Sequence, residues 1–279
     1  QGKPAEAKVV EILGRLGEPG VDVLSVMAAH QLPRDFPPAA AQAAERIPAV
    51  IMSDELTGRR DLRSLATVTI DSEDAKDLDD AVHVERIGTD LFRLGVHIAD
   101  VSHYVKENSP LDQEARLRGT SVYLVDRVIP MLPHRLSNGI CSLNQGEDRL
   151  TLSASMEIDR SGRIIRYEIF PSVIRVRTRL SYTVVRRILA EQDLTLREQY
   201  APLVPMLEAM EQLADALRQK RTRRGAIDFD LPELKVLLDE QGRTIGIDKR
   251  IRTVAESIIE EFMLAANETV AEHMDKREI

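Results

Sequence analysis

The sequence has no tryptophan and only one cysteine, and aromatic residues make up 4% of its 279 positions. A single thiol, Cys141, excludes an internal disulfide framework and is typical of a reducing compartment. Because it has no zinc-binding spacing to another cysteine or histidine, we expect a small buried side chain. No apolar run approaches the roughly 20 residues of a membrane-spanning helix. These absences predict a cytoplasmic, soluble protein.

Basic charge is also in short supply, since acidic residues outnumber lysine and arginine and the net charge is -8. Proteins that bind nucleic acid usually carry a basic footprint, so the total argues weakly against such a partner. The acids concentrate between residues 71 and 80, however, and the arginines gather elsewhere. A local basic channel therefore remains possible.

The pattern of apolar residues predicts an α+β fold in which helices pack on a largely antiparallel sheet. Alternation predicts strands over residues 66–70, 81–86, 91–98, 121–125, 150–158, 163–170 and 173–178. Most connections between them are too short for parallel crossovers. The period then changes, and it predicts two long helices over residues 203–217 and 253–274 with a hairpin between them.

The first 58 residues have the character of a connector. Residues 8–13 alternate as a strand would, and residues 21–29 can form a short helix. Three prolines then precede an alanine-rich segment over residues 39–46, which we predict to be a second helix opened by proline.

An acidic stretch between two apolar segments is the most unusual feature of the sequence. Residues 70–84 are IDSEDAKDLDDAVHV, with six acidic residues within ten positions. Each pair of carboxylates in contact repels by about 1 kcal/mol in water and by about 4 kcal/mol near a protein surface. Folding them together requires a cation, and a hard divalent ion with oxygen ligands is the natural candidate.

Four of these acids have a spacing that suits one metal centre. Asp71 ends a predicted strand, whereas Asp77, Asp79 and Asp80 return toward the next strand, so one turn can aim several carboxylates at one point. Two divalent ions about 3.5–4 Å apart can clamp the attacking water and the leaving oxygen of a phosphodiester. The pattern therefore indicates metal-assisted phosphoryl hydrolysis.

Other interpretations of the acids compete with this one. An EF-hand is excluded, because neither Asp71 nor Asp77 as its first residue places an oxygen ligand at position 5 and a glycine at position 6. An acidic surface turn without a bound ion stays open. Glu73 and Asp74 are in either case expected to be solvated.

Histidines and arginines elsewhere leave further alternatives open. His97 and His103 flank Asp100 and can be drawn as a metal site, but they are equally suited to orienting the acidic stretch or capping a turn. Alternation places three arginines on one strand face, where they either line a path for phosphates or remain solvated: Arg175, Arg177 and Arg179. Any base-stacking platform must rest on a few rings: Tyr104, Tyr123, Tyr182 and Phe229.

The sequence from about residue 59 onward resembles the RNB catalytic domain of the ribonuclease R and ribonuclease II exoribonucleases. Five motifs in the family's order carry the resemblance: DLRSLATVTIDSEDAKDLDDAVHV, HIADVSHYV, VYLVDRVIPMLPHRLSNGICSLNQGEDRLTLS, RGAIDF and IIEEFMLAAN. The resemblance divides the chain into residues 1–58, a connector with the possible end of a cold-shock-like domain, and residues 59–279, an RNB catalytic domain truncated at its C-terminus.

The resemblance implies a 3'→5' exoribonuclease that hydrolyses single-stranded RNA to nucleoside 5'-monophosphates with Mg²⁺, without a membrane or an organic cofactor, as a monomer. The family's active-site aspartates, which bind metal and position water, fall on Asp71, Asp77, Asp79 and Asp80. Its RNA contacts fall on Tyr123, Tyr182, Phe229 and Glu261, with Glu260 as the alternative to Glu261.

The resemblance also implies parts of the family's architecture that are not among these 279 residues. They are a segment that supplies a catalytic arginine, and further RNA-binding domains. Loss of an arginine that stabilises transition-state charge slows catalysis strongly. A second interpretation therefore stays open, in which the chain is an RNA-binding or scaffold fragment with the RNB fold and no hydrolytic activity.

Overall fold

The computed structural model describes residues 7–227, 233–250 and 252–278. Its strands are β1 Arg60–Asp61, β2 Val68–Asp71, β3 Asp80–Arg86, β4 Leu91–Ala99, β5 Val122–Tyr123, β6 Val128–Ile129, β7 Asp148–Asp159, β8 Ile164–Arg175, β9 Thr178–Ser181, β10 Glu233–Leu238 and β11 Thr244–Arg250. Its α-helices are α1 Val21–Ala29, α2 Pro38–Glu45, α3 Val101–Tyr104, α4 Pro110–Arg118, α5 Tyr182–Leu189, α6 Leu194–Gln199, α7 Val204–Arg223 and α8 Val254–Asp275. Two further turns are the 3₁₀ helix Ser53–Leu56 and the π-helical turn Arg135–Ile140.

Seven strands form one sheet in the order β1-β8-β7-β4-β3-β2-β9. The pairs from β8 to β2 are all antiparallel, and only the outer pairs β1–β8 and β2–β9 are parallel. Short connections explain this order, because an antiparallel neighbour needs only a turn. The α+β fold with a largely antiparallel sheet and packed helices is confirmed.

Apolar side chains cover one face of the sheet and one end of the other face. On one face the alternate residues of β3, β4 and β7, such as Leu94 and Met156, pack against α5, α7 and α8. On the other face a smaller cluster joins α2, α4 and the π-helical turn to one end of the sheet. Within the described ranges, no helix is long and apolar enough to cross a membrane.

Several local predictions are wrong. Residues 8–13 are irregular rather than a strand, and Val10 is 92% exposed, because no neighbouring strand in the described chain satisfies this backbone. The strands predicted over residues 163–170 and 173–178 are mainly one strand, β8, which continues through Pro171. The strand predicted over residues 121–125 shrinks to Val122–Tyr123 in a separate hairpin.

The prediction that three arginines share one strand face is also wrong, because β8 ends among them. Arg175 is the last residue of β8, and Arg179 lies in β9, so they do not share one strand face. The backbone leaves β8 at Val176 because this residue enters the smaller apolar cluster and bridges to Gln145. An arginine row along a single strand therefore does not form.

Candidate active site

The acidic loop, residues 72–79, joins the last residue of β2 to the first residue of β3 at one end of the sheet. Asp71 is the last residue of β2 and Asp80 is the first of β3, and the antiparallel register of the two strands pairs Val68 with Val82. The loop must therefore return to its starting point. Asp77 and Asp79 lie on the returning half, which brings all four predicted aspartates to the same end of the sheet.

The charges of these carboxylates act on one another. Partial burial of the carboxylate raises the pKa of Asp79 to about 6. The negative charges of Asp77 and Asp71 add to this increase. Burial and the charges of Asp71 and Asp79 likewise raise the pKa of Asp80 to about 6. Burial and the neighbouring acids thus raise the pKa of two of the four carboxylates.

The donor chemistry fits a hard divalent cation, because carboxylate oxygens are the ligands such ions prefer and a cation removes the mutual repulsion. In the part of the chain that the structure describes, no three His, Cys, Asp or Glu side chains already stand at metal-binding spacing. The Asp77 carboxylate accepts a hydrogen bond from another side chain.

Tyr123 supplies that hydrogen bond from the β5–β6 hairpin. Its hydroxyl donates to Oδ2 of Asp77 at 2.7 Å. This bond, reduced hydration and the charges of Asp77, Asp79 and Asp71 raise the pKa of Tyr123 to about 12. Tyr123 as a whole residue is 66% exposed. The structure thus joins the predicted Tyr123 to the acids and leaves its aromatic face open beside them.

The other predicted RNA contacts are placed differently. Tyr182 begins α5 directly after Ser181, the register partner of Asp71, and is half-buried against the main core. Glu261 is only 3% exposed and forms an ion pair with Arg221 at 2.6 Å, whereas Glu260 is exposed and pairs with Arg252. Phe229 lies outside the described residues.

Glu73 and Asp74, predicted to be solvated, are both exposed. The Glu73 carboxylate faces the start of α5, where hydrogen bonds from its surroundings, the Thr183 side chain first, lower its pKa. Neither residue contributes to the raised pKa of Asp79 or Asp80. Those two shifts come from burial and from the charges of other predicted aspartates. The structure therefore separates these two acids from the four that interact.

The predicted histidines do not join the acids. His97 is buried and lies between His83 at 3.0 Å and the Ser153 hydroxyl at 2.6 Å. His103 faces the N-terminal segment, where its Nε2 lies 2.5 Å from a carboxylate oxygen of Glu55. Both therefore hold strands and segments together instead of facing the acidic loop.

The arginines near the loop are also engaged. Arg175 pairs with Asp148 at 2.7 Å. Arg179 donates to the carbonyls of Glu73 and Ala75, at 2.9 and 2.7 Å. Arg179 therefore supports the acidic loop itself, a role that its position in the sequence did not indicate.

Ser142 is a second support that sequence reasoning missed. Its fully buried hydroxyl donates to the Lys76 carbonyl at 2.8 Å and accepts from the Leu78 N–H at 3.1 Å. The only sequence signal was a polar residue between two apolar ones, Cys141 and Leu143. That pattern predicts a buried hydroxyl but not its partner 64 residues away.

The fold and the acidic site together define an RNB domain. The family model described as "RNB domain" matches residues 59–279, and a cold shock domain model matches residues 1–37. The chain therefore belongs to the RNB-domain family.

Similar proteins fall in the ribonuclease R group. Ribonuclease R of Thermotoga maritima is 53% identical over 277 residues, which are 98% of this chain and 39% of that protein. RNase R of Mycoplasma genitalium has been solved with ribose-methylated single-stranded RNA, at a TM-score of 0.87 and 34% identity over 96% of this chain and 41% of that one. Its structure with double-stranded RNA has a TM-score of 0.88, covering 96% and 47%. The chain thus spans less than half of each of these proteins.

Proposed function

We propose that the protein containing this chain is a hydrolytic exoribonuclease, which degrades single-stranded RNA from its 3' end to nucleoside 5'-monophosphates with Mg²⁺. The observation that carries the proposal is the meeting of four interacting aspartates with one exposed tyrosine ring. The relatives named ribonuclease R, and the neighbour solved with single-stranded RNA, support the same substrate class.

The four aspartates, Asp71, Asp77, Asp79 and Asp80, would hold the metal. When bound, divalent cations supply Lewis-acid polarisation of the phosphate and lower the pKa of the attacking water. The chain's own part is to present four oxygen donors at one end of a rigid sheet. Asp77, whose carboxylate accepts a hydrogen bond from the Tyr123 hydroxyl, would be one of these donors, and the other acids would balance the cationic charge.

The proposed RNA contacts surround this end of the sheet. Tyr123 would stack on a base near the 3' end, because it is largely exposed on a short hairpin beside the acids. Tyr182 and Glu261 are proposed as further contacts, and Phe229 as the clamp on the terminal base. For Glu261 to reach a nucleotide, its ion pair with Arg221 must open.

The proposal includes a monomeric protein in the cytoplasm, with no organic cofactor. Its RNA substrate and its buried thiol at Cys141 support that location.

Asp79→Asn tests the proposal, because it removes one negative charge from the cluster and keeps the side-chain shape. We expect it to abolish the release of mononucleotides from single-stranded RNA in Mg²⁺ and to leave RNA affinity nearly unchanged. The matched control is Asp74→Asn, an exposed acid of the same loop, which should retain activity. Measured turnover in Asp79→Asn would refute the role given to the aspartates.

A second candidate function is RNA binding without hydrolysis. It is favoured by the chain's span of only 39% of the Thermotoga protein, since that length leaves room elsewhere for groups that complete a catalytic centre. Incubating the 279-residue chain with RNA and Mg²⁺ separates the two. RNA retained by the chain without any product supports the second function, whereas mononucleotides support the first.

A further inference from the structure

We propose that Ser142 and Arg179 are positioning residues, which clamp the acidic loop from its buried and its exposed side and so set the affinity of the aspartates for a divalent cation. The inference rests on the proposed function, because it assumes that the four aspartates bind metal. It assigns a role in metal binding to two residues that do not touch the metal.

Ser142 is the inner clamp, and it acts on both sides of Asp77. The single Ser142 oxygen bonds the carbonyl of Lys76 and the N–H of Leu78, which are the residues before and after Asp77. Next to it, the Leu143 N–H donates to the Leu78 carbonyl at 2.8 Å. The peptide groups on each side of Asp77 are therefore tied to one short segment.

The same segment limits the movement of Asp79. The tied Leu78 carbonyl belongs to the peptide bond that leads into Asp79, and the Asp79 carbonyl itself accepts from the Ala99 N–H at 3.0 Å. The Leu78 side chain is 2% exposed and packs in the smaller apolar cluster with Leu143. The backbone that carries two of the four carboxylates is thus fixed on both sides.

The inner clamp is itself rigidly held. Arg149 is buried, and its guanidinium donates to the Ser142 carbonyl at 2.7 Å and to the Gly139 carbonyl at 3.2 Å. These bonds fix Ser142 at the end of the π-helical turn. A buried charged donor with several acceptors leaves little freedom for the segment it binds.

The outer clamp is Arg179 in β9. Its guanidinium reaches over the loop and donates to the carbonyls of Glu73 and Ala75, on the half of the loop that leaves β2. The Arg179 side chain is exposed, so its removal does not open the core. The two clamps together restrain both halves of the loop.

Loop restraint matters here because the carboxylates repel each other. Without it, the loop would relax by moving Asp77 and Asp79 apart, and a cation would have to draw them together at a cost in affinity. Groups that orient metal ligands without touching the metal typically contribute about 10–100-fold to affinity. We therefore expect the clamps to act on metal binding in that range.

Manganese is a suitable probe of the site, because Mn²⁺ accepts oxygen ligands and is detected directly by electron paramagnetic resonance in the 279-residue chain without RNA. Ser142→Ala and Arg179→Ala should each weaken Mn²⁺ binding by about 10–100-fold. Circular dichroism establishes that each variant is folded.

Two matched controls separate positioning from general loss of stability. Ser172→Ala also removes a fully buried hydroxyl, one bonded to Thr151 and Ser153 rather than to the loop. Arg160→Ala removes an exposed guanidinium that donates to the Thr89 carbonyl at the opposite end of the sheet. Both should bind Mn²⁺ as the wild type does.

The outcomes are decisive in each case. If Ser142→Ala or Arg179→Ala is folded and binds Mn²⁺ like its control, the positioning role of that residue is wrong. If Ser142→Ala does not fold, the clamp proposal is tested by Arg179→Ala against Arg160→Ala. Equal Mn²⁺ affinities of these two variants would then overturn it. A wild-type chain that binds no Mn²⁺ would overturn the metal site and the positioning role together.

Discussion

At the scale of a residue, two functions are proposed for Tyr123. Its hydroxyl donates to Asp77, and the residue is 66% exposed on a short hairpin. A phenol in this position combines a polar tip with an apolar face, which suits contact with a stacked base. The resemblance predicted this residue, but the hydrogen bond to Asp77 could not be predicted, since it joins residues 46 positions apart.

Substitution of Tyr123 separates the two functions. Tyr123→Ala removes the ring and should weaken binding of a short single-stranded RNA by about 1–3 kcal/mol, the contribution of one stacked base. Tyr123→Phe keeps the ring and loses only the bond to Asp77, so its RNA affinity should stay near that of the wild type. Fluorescence anisotropy with labelled RNA measures both. Equal affinities for Tyr123→Ala and the wild type would contradict the stacking role.

At the scale of the elements, four neighbouring strands share a buried polar network. His83 in β3 contacts His97 in β4, which contacts Ser153 in β7, and Ser153 lies 2.5 Å from Ser172 in β8. Gly95 makes this possible, because a Cβ at that position would lie 2.1 Å from the His83 ring. Alternation predicted the strands that carry these residues, whereas the contact across a glycine required the register of the strands.

The network makes stability depend on pH. Burial lowers the pKa of His83 to about 4 and that of His97 to about 3, where the neighbouring His83 adds to the effect. Both folded values lie below the ordinary value of 6.5, so the unfolded chain binds more protons. Their contribution to stability is complete above pH 6.5 and is lost progressively as the pH falls toward 4.

His97→Gln tests this linkage. Between pH 6 and pH 4, its free energy of unfolding should fall less steeply than that of the wild type, by about 1.4 kcal/mol per pH unit. The matched control is His30→Gln, an exposed histidine, which should keep the wild-type slope. Urea unfolding at several pH values provides the slopes. If His97→Gln and His30→Gln have the same slope, the buried pair is not the source of the acid sensitivity.

At the scale of the whole molecule, the sequence predicted what depends on local pattern. The hairpin of β3 and β4 follows from alternation around a short turn, and α7 and α8 follow from helical periodicity. Pro171 was misleading, because β8 continues through it. The missing N–H is tolerated there since the neighbouring β1 pairs only with Ser172 and Val173.

The candidate site was predictable to a similar extent. Charge density and motif spacing predicted the four aspartates as one site from the sequence, because these acids are close along the chain, and their role at a metal stays a prediction. The supports at Ser142 and Arg179 were not predictable, because their bonds to the loop span 64 to 106 positions and depend on how the sheet brings β9 and the π-helical turn together.

The most direct test of the central claim follows single-stranded RNA labelled at its 5' end during incubation with Mg²⁺ and the full-length protein that contains this chain. We predict shortening one nucleotide at a time from the 3' end, with nucleoside 5'-monophosphates as the products from the first turnover. Chelation of the metal should stop the reaction, and added Mg²⁺ should restore it. Internal cleavage fragments, or products that continue to form after chelation, would contradict the claim.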